Sequence, residues 1–235
     1  MPRRVPFRLP LIARALSSGA LISGALIAGL LILGGGGAQA REPDGTLVVT
    51  MLGDSLTAGY GLKAADAIPA GLQAALRNAG LKVTVRPAGV SGDTSADGLA
   101  RVDFSVRPDT DLCLVVLGGN DLLQGVEPKV MKANLDGILK KLKARHIRAM
   151  LVGLKAPPAM GADYAREFDA VVPGLAKADQ APAFPDLLGK VALDRSLNQG
   201  DGVHPNPEGV KQVVARLAPA VAAALKPSPA RAAER

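Results

Sequence analysis

Four short segments carry side chains able to do nucleophilic chemistry: GDSLTAGYG at 53–61, AGVSGDTS at 88–95, GGND at 118–121 and DGVHPN at 201–206. A serine hydroxyl is a weak nucleophile until a neighbouring base takes its proton. Ser55 follows an apolar run and precedes a helix, where backbone N–H groups gather and suit a developing oxyanion. The same position also fits a plain helix cap, for which Asp and Ser are common. Asp201 and His204 lie three residues apart on a loop. That spacing lets the carboxylate hold one imidazole nitrogen while the other faces Ser55. Gly89 has no side chain, so a substrate oxygen can approach its backbone N–H. Asn120 can aim an N–H₂ donor into the same space, although Gly and Asn together also simply make turns.

The chain has two histidines. His146, in KKLKARHIR at the lysine-rich end of a helix, reads as a surface residue facing the helix dipole. A histidine base is therefore His204. The one cysteine, Cys113 in LCLVVLGG, precludes an internal disulfide and reads as a small buried hydrophobe. The spacing of Asp201 and His204 suggests no third or fourth ligand, so no metal and no other cofactor is expected.

The elements that must position these residues alternate. TLVVTML (46–52) reads as a buried parallel strand, residues 66–79 as a helix ending at Gly80, and LKVTVRP (81–87) as a second strand. A helix over 94–107 leads to the most apolar strand, 111–119, which should be central. An amphipathic helix over 128–145, a strand over 147–154, a helix over 161–178 and a short strand at 181–185 follow. The last helix starts at Pro207 with Asn206 as N-cap and runs to Leu225. This β-α-β-α order predicts a parallel sheet with helices on both faces. Ligands of such sheets bind beyond the carboxyl ends of the strands, where the four segments fall. Loops near 90–95, 120–127 and 155–163 should border that crevice.

Residues 1–40 read as an address. A basic start with Arg3, Arg4, Arg8 and Arg14, the apolar run 15–33 and the small-residue pattern Ala38-Gln39-Ala40 make a signal peptide, with cleavage after Ala40. An uncleaved anchor is the rival reading, since the apolar run nears the length of a membrane span. No cysteine follows that run, which excludes a lipoprotein anchor. The net charge of +7 falls to +3 without these residues, and the chain has no Trp and 3% aromatics. Neither property suits a nucleic-acid binder. The length fits one domain, 41–226, followed by a polar tail over 227–235.

Taken together, the segments resemble the GDSL/SGNH hydrolase family, whose Ser, Gly, Asn and His would fall on Ser55, Gly89, Asn120 and His204. The resemblance covers 46–225. The segment 156–177 looks like the branch of bacterial arylesterases and multifunctional thioesterase–lysophospholipases, while LLGKVALDRSLNQG (187–200), a stretch placed to shape an acyl pocket, matches less clearly. What the resemblance implies is a three-layer α/β/α flavodoxin-like sandwich with five parallel strands. It implies a Ser55–His204–Asp201 triad and an oxyanion hole from the Ser55 and Gly89 N–H groups and the Asn120 side chain. It implies a monomeric, periplasmic or secreted esterase acting on esters, acyl thioesters or lysophospholipids. Thr57, two residues after Ser55, separates the motif from the G-x-S-x-G elbow of α/β-hydrolases. A carbohydrate acetylesterase is the second enzymatic reading, and a secreted binding protein the non-enzymatic one.

Overall fold

Successive residues of β1 (Leu47–Gly53) point to opposite faces of a sheet, and both faces of this strand are buried. Val49 and Met51 enter one apolar cluster, Leu52 the other. The computed structural model describes residues 44–226, so the signal peptide and tail expected from the sequence lie outside the described residues. β2 (Val83–Gly89), β3 (Leu112–Val116), β4 (Arg148–Val152) and β5 (Ala183–Phe184) complete one sheet in the order β2-β1-β3-β4-β5. Every pairing is parallel. β3 is the middle strand and is buried throughout. The fold is thus the α/β sandwich that the alternation implies, with its topological switch between β1 and β3.

Helices α2 (Ile68–Asn78) and α7 (Pro207–Leu225) cover one face, burying Leu72, Leu76, Val213 and Leu217 at 0% exposure against Met51 and Leu114. Helices α3 (Ser95–Ser105), α5 (Pro128–Ala144) and α6 (Ala162–Asp179) cover the other, with Leu135, Ile138 and Leu142 against Cys113, Val115 and Leu151. Side-chain caps open α7 and α3, whereas α2 and α5 open on a first-turn proline without a side-chain cap. Asn206 caps α7, its Oδ1 accepting the Glu208 and Gly209 N–H groups, with Pro207 in the first turn. Thr94 and Asp97 form a reciprocal capping box on α3.

The apolar run at 111–119 is shorter as a strand than the sequence predicts. β3 stops at Val116, Gly118 turns with φ 117°, and a short helix α4 (Gly119–Leu123) begins. The turn at Gly118, rather than a change in hydrophobicity, ends the ladder. β5 is only two residues long, between Pro182 and Pro185, which have no N–H to donate. Cys113 is buried, and burial pushes its thiol up to about 12. No helix among the described residues is long and apolar enough to cross a membrane.

Candidate active site

β1 ends at Gly53, and a one-turn helix, α1 (Ser55–Ala58), begins at once. Asp54 takes the cap: its Oδ1 accepts the Leu56 N–H at 3.0 Å. The cap role open to Ser55 in the sequence therefore belongs to its neighbour, and the Ser55 hydroxyl is left for other work. Asp54 is buried, and that burial pushes its carboxyl up to about 6 despite the N–H donation from Leu56.

The loop after the 3₁₀ turn at Arg195–Leu197 folds back on itself. The Gln199 N–H donates to the His204 carbonyl at 2.8 Å, and Asn198 bridges to Pro205. The Asp201 Oδ1 accepts the N–H groups of Val203 and His204 at 2.9 and 3.0 Å. His204 Nδ1 stands 2.7 Å from Asp201 Oδ2, and His204 Nε2 stands 2.8 Å from Ser55 Oγ. The backbone N–H of His204, then that of Val203, then the imidazole hold the Asp201 carboxyl down to about 2. An ionised carboxylate only accepts, so the neutral ring carries its proton on Nδ1 and Nε2 accepts from the Ser55 hydroxyl. Tyr60 covers the imidazole, ring centroids 4.8 Å apart. Gln199 Nε2 donates to the Tyr60 and Pro205 carbonyls at 2.8 and 3.1 Å, joining the histidine loop to the nucleophile turn.

Asn120 lies in the first turn of α4. Its Nδ2 donates one proton to the Asp93 carbonyl at 2.8 Å, which orients the amide and leaves its second N–H for the crevice. Buried Asp121 fastens α4 to α3: its carboxylate accepts from the Ser95 N–H at 2.7 Å and the Ser95 hydroxyl at 2.5 Å. Asn134 on α5 donates to the same hydroxyl at 3.0 Å.

Gly89 stands elsewhere. It is the last residue of β2, paired with Gly53, and a Cβ there would come within 2.4 Å of the Ala58 nitrogen. The next residue, Val90, donates its N–H to the Gly53 carbonyl, and N–H groups alternate along a strand. The Gly89 N–H therefore faces the open edge of the sheet, away from β1 and Ser55. Gly89 is small because α1 packs on it. Gly92, three residues on, lines the crevice with Ser55 and Asn120, at φ 93°. The sequence signal for it was the Ser-Gly-Asp turn, in which a positive φ exposes the backbone.

These groups surround a crevice of about 380 Å³ beyond the carboxyl ends of β1 and β3, with Leu122, Leu123, Leu154 and Leu188 in its wall. All three loops expected at its border contribute, through Ser91 and Gly92, Asn120, Leu122 and Leu123, and Lys155 and Pro157. The less familiar stretch 187–200 supplies Leu188 and Ala192. A larger hollow of about 740 Å³ lies at the opposite end of the sheet and holds His146 but no serine. Among the described residues, no three His, Cys, Asp or Glu side chains gather as a metal ligand set.

A flavodoxin-like sheet with serine, histidine and aspartate in line at its switch point defines a hydrolase class separate from the α/β-hydrolases. The comparisons agree: residues 51–212 match the GDSL-like lipase/acylhydrolase family. An arylesterase of Vibrio mimicus is 36% identical over 159 residues, 67% of this chain and 80% of that one. The thioesterase 1/protease 1/lysophospholipase L1 of Escherichia coli K12 is 38% identical over 66% of this chain and 74% of that one. Among solved structures, the SGNH-hydrolase family esterase AlinE4 is 45% identical, with a TM-score of 0.64 over 77% of this chain and 98% of that one. TesA is 31% identical, with a TM-score of 0.70 over 74% and 97%. The chain belongs to the GDSL-like lipase/acylhydrolase family and is a carboxylic ester hydrolase.

Proposed function

We propose that the chain is an exported serine esterase that cleaves carboxylic esters and acyl thioesters through an acyl-enzyme on Ser55. The observation that carries this reading is the unbroken relay from Ser55 Oγ to His204 Nε2 at 2.8 Å and from His204 Nδ1 to Asp201 Oδ2 at 2.7 Å. In the first half-reaction His204 takes the Ser55 proton as Oγ attacks the carbonyl carbon. Asp201 holds the ring and stabilises its cationic form. The carbonyl oxygen becomes an oxyanion, held by the N–H groups of Ser55 and Gly92 and the second N–H of Asn120. The carbonyl then re-forms, and the leaving alcohol or thiol departs with the proton from His204. In the second half-reaction water gives a proton to His204, attacks the acyl carbon and releases the acid, and Ser55 recovers its proton. Every group in this scheme comes from one chain, so a monomer suffices.

The leucines around the crevice favour an acyl chain over a sugar. They place arylesters, acyl thioesters and lysophospholipids ahead of acetylated carbohydrates as substrates. Export rests on residues 1–40, with their basic start, apolar run and Ala38-Gln39-Ala40 pattern. The test is a p-nitrophenyl ester series from acetate to palmitate, with a medium-chain acyl thioester and Ser55→Ala alongside. The expected result is Ser55-dependent turnover of both classes, with an optimum beyond acetate. An optimum at acetate with no thioester cleavage would favour the carbohydrate acetylesterase.

A further inference from the structure

Most of the crevice's supporting bonds join neighbours in sequence or hold one element. Arg101, on α3 and outside the crevice, joins three. Its side chain is 19% exposed. Nε donates to Asp93 Oδ2 at 2.5 Å, Nη1 to the Ala88 carbonyl at 2.9 Å and the Ser105 hydroxyl at 3.0 Å, and Nη2 to the Gly53 carbonyl at 2.8 Å. One planar group therefore bridges the end of β1, the end of β2 and the turn that follows β2. Gly53 stands two residues before Ser55. Asp93 presents the carbonyl that fixes the Asn120 amide.

We propose that Arg101 is a positioning residue for acyl transfer, its guanidinium locking the Asp93 turn to the nucleophile strand and so aiming the Asn120 amide at the reacting carbonyl. The inference rests on the esterase reading above. Two physical points support it. A guanidinium offers five donors in a fixed fork, so its four acceptors are held at set angles to one another. The pair with Asp93, whose side chain is 12% exposed, is largely shielded from water, so its charge-assisted bond is directional and short. An oxyanion donor works only within a few tenths of an ångström of its place, and a shift of 1 Å can cost ~10²-fold. Arg101 touches no wall of the crevice, so its loss should act on turnover and leave substrate binding alone.

The experiment measures kcat and KM for a medium-chain p-nitrophenyl ester in the full chain, its Arg101→Ala, Asn120→Ala and double variants, and Ser55→Ala, each with a thermal melt. The expected result is a fall in kcat of ~10–10²-fold for Arg101→Ala with KM within about threefold. In the Asn120→Ala background the same change should cost less than about threefold, because the group it aims is gone. Arg101→Lys should recover part of the loss, since a point charge can reach Asp93 but cannot span the fork. Should Arg101→Ala not fold, Asp93→Asn gives the same reading: it strips the clamp's strongest bond of its charge yet keeps the carbonyl that Asn120 uses, with an expected fall of ~3–10-fold. Wild-type hydrolysis that persists in Ser55→Ala would overturn the esterase reading itself. A Ser55-dependent wild type with kcat kept within twofold in Arg101→Ala, or an equal loss with and without Asn120, would overturn the role of Arg101 alone.

Discussion

The two ends of the sheet each hold a hollow and a histidine, and only one is built for catalysis. At the carboxyl ends of the strands, a crevice of about 380 Å³ gathers Ser55, Asn120, Gly92 and His204. At the amino ends, a hollow of about 740 Å³ gathers His146, Lys143, Arg148 and Lys226, with Asp179. Size and the presence of imidazole do not separate them. Placement does. Past the carboxyl ends, the turns into helices bring several loops together around one crevice. His204 is set in its loop between a carboxylate and a hydroxyl. His146 follows the C-terminal end of α5 at φ 57°, exposed, with no carboxylate paired to its ring among the described residues.

The sharpest way to break this comparison is to remove each histidine. His204→Ala or Ser55→Ala should lower kcat by ~10⁴-fold or more, since members of such a relay act as a unit. His146→Ala should leave turnover within twofold. Comparable losses at both ends, read by ester hydrolysis, would erase the distinction. Next in size, Asn120→Ala should cost ~10²–10³ in kcat with an unchanged melting temperature. Wild-type turnover in that variant would remove the oxyanion assignment.

Asp54 tests the burial that the crevice end imposes. Its carboxyl is raised from 3.8 to about 6, chiefly by desolvation. The folded chain therefore keeps a proton that the unfolded chain releases. The associated stability is whole below pH ~4 and is lost as the pH rises through about 6. Asp54→Asn keeps an N-capping oxygen and removes the charge. Between pH 4 and pH 8 its stability relative to wild type should rise by on the order of 3 kcal/mol, or roughly 6 °C or more in melting temperature. A pH-independent difference in thermal melts would contradict the burial argument. The smallest effect separates two glycines. Gly89→Ala forces a Cβ against α1 and should cost about 2 kcal/mol, or roughly 4–8 °C. Gly92→Ala meets nothing within 4 Å, but φ 93° strains any side chain there, so it should cost about 1 kcal/mol in stability and, unlike Gly89→Ala, turnover as well. The reverse pattern would return Gly89 to the oxyanion hole.

Much of this was legible in the chain. Apolar runs and helical patterns placed every strand and long helix to within a few residues, with Gly, Pro or a capping residue marking most of their ends. Ser55, Asn120, Asp201 and His204, which the fold brings to one crevice or hydrogen-bonded relay, stood out because the proposed acyl transfer needs side chains of those types. Gly92 was not, because a backbone N–H has no residue type. Two glycines three apart look alike until the register β1–β2 shows which faces the sheet edge. Arg101 and Gln199 were hidden for another reason: they act on carbonyl groups of Gly53, Ala88 and Tyr60, distant in sequence. The end of β3 at Val116 was missed because the apolar run continues into Leu117 after the ladder has stopped.

The central claim is that His204, oriented by Asp201, activates Ser55. Its most direct test is labelling of the folded chain with a serine-reactive fluorophosphonate, followed by peptide mapping of wild type and His204→Ala. The expected result is one phosphonyl adduct, on Ser55, formed at least ~10²-fold more slowly without the imidazole. A folded wild type that takes no label, or an adduct on another residue, would contradict the account.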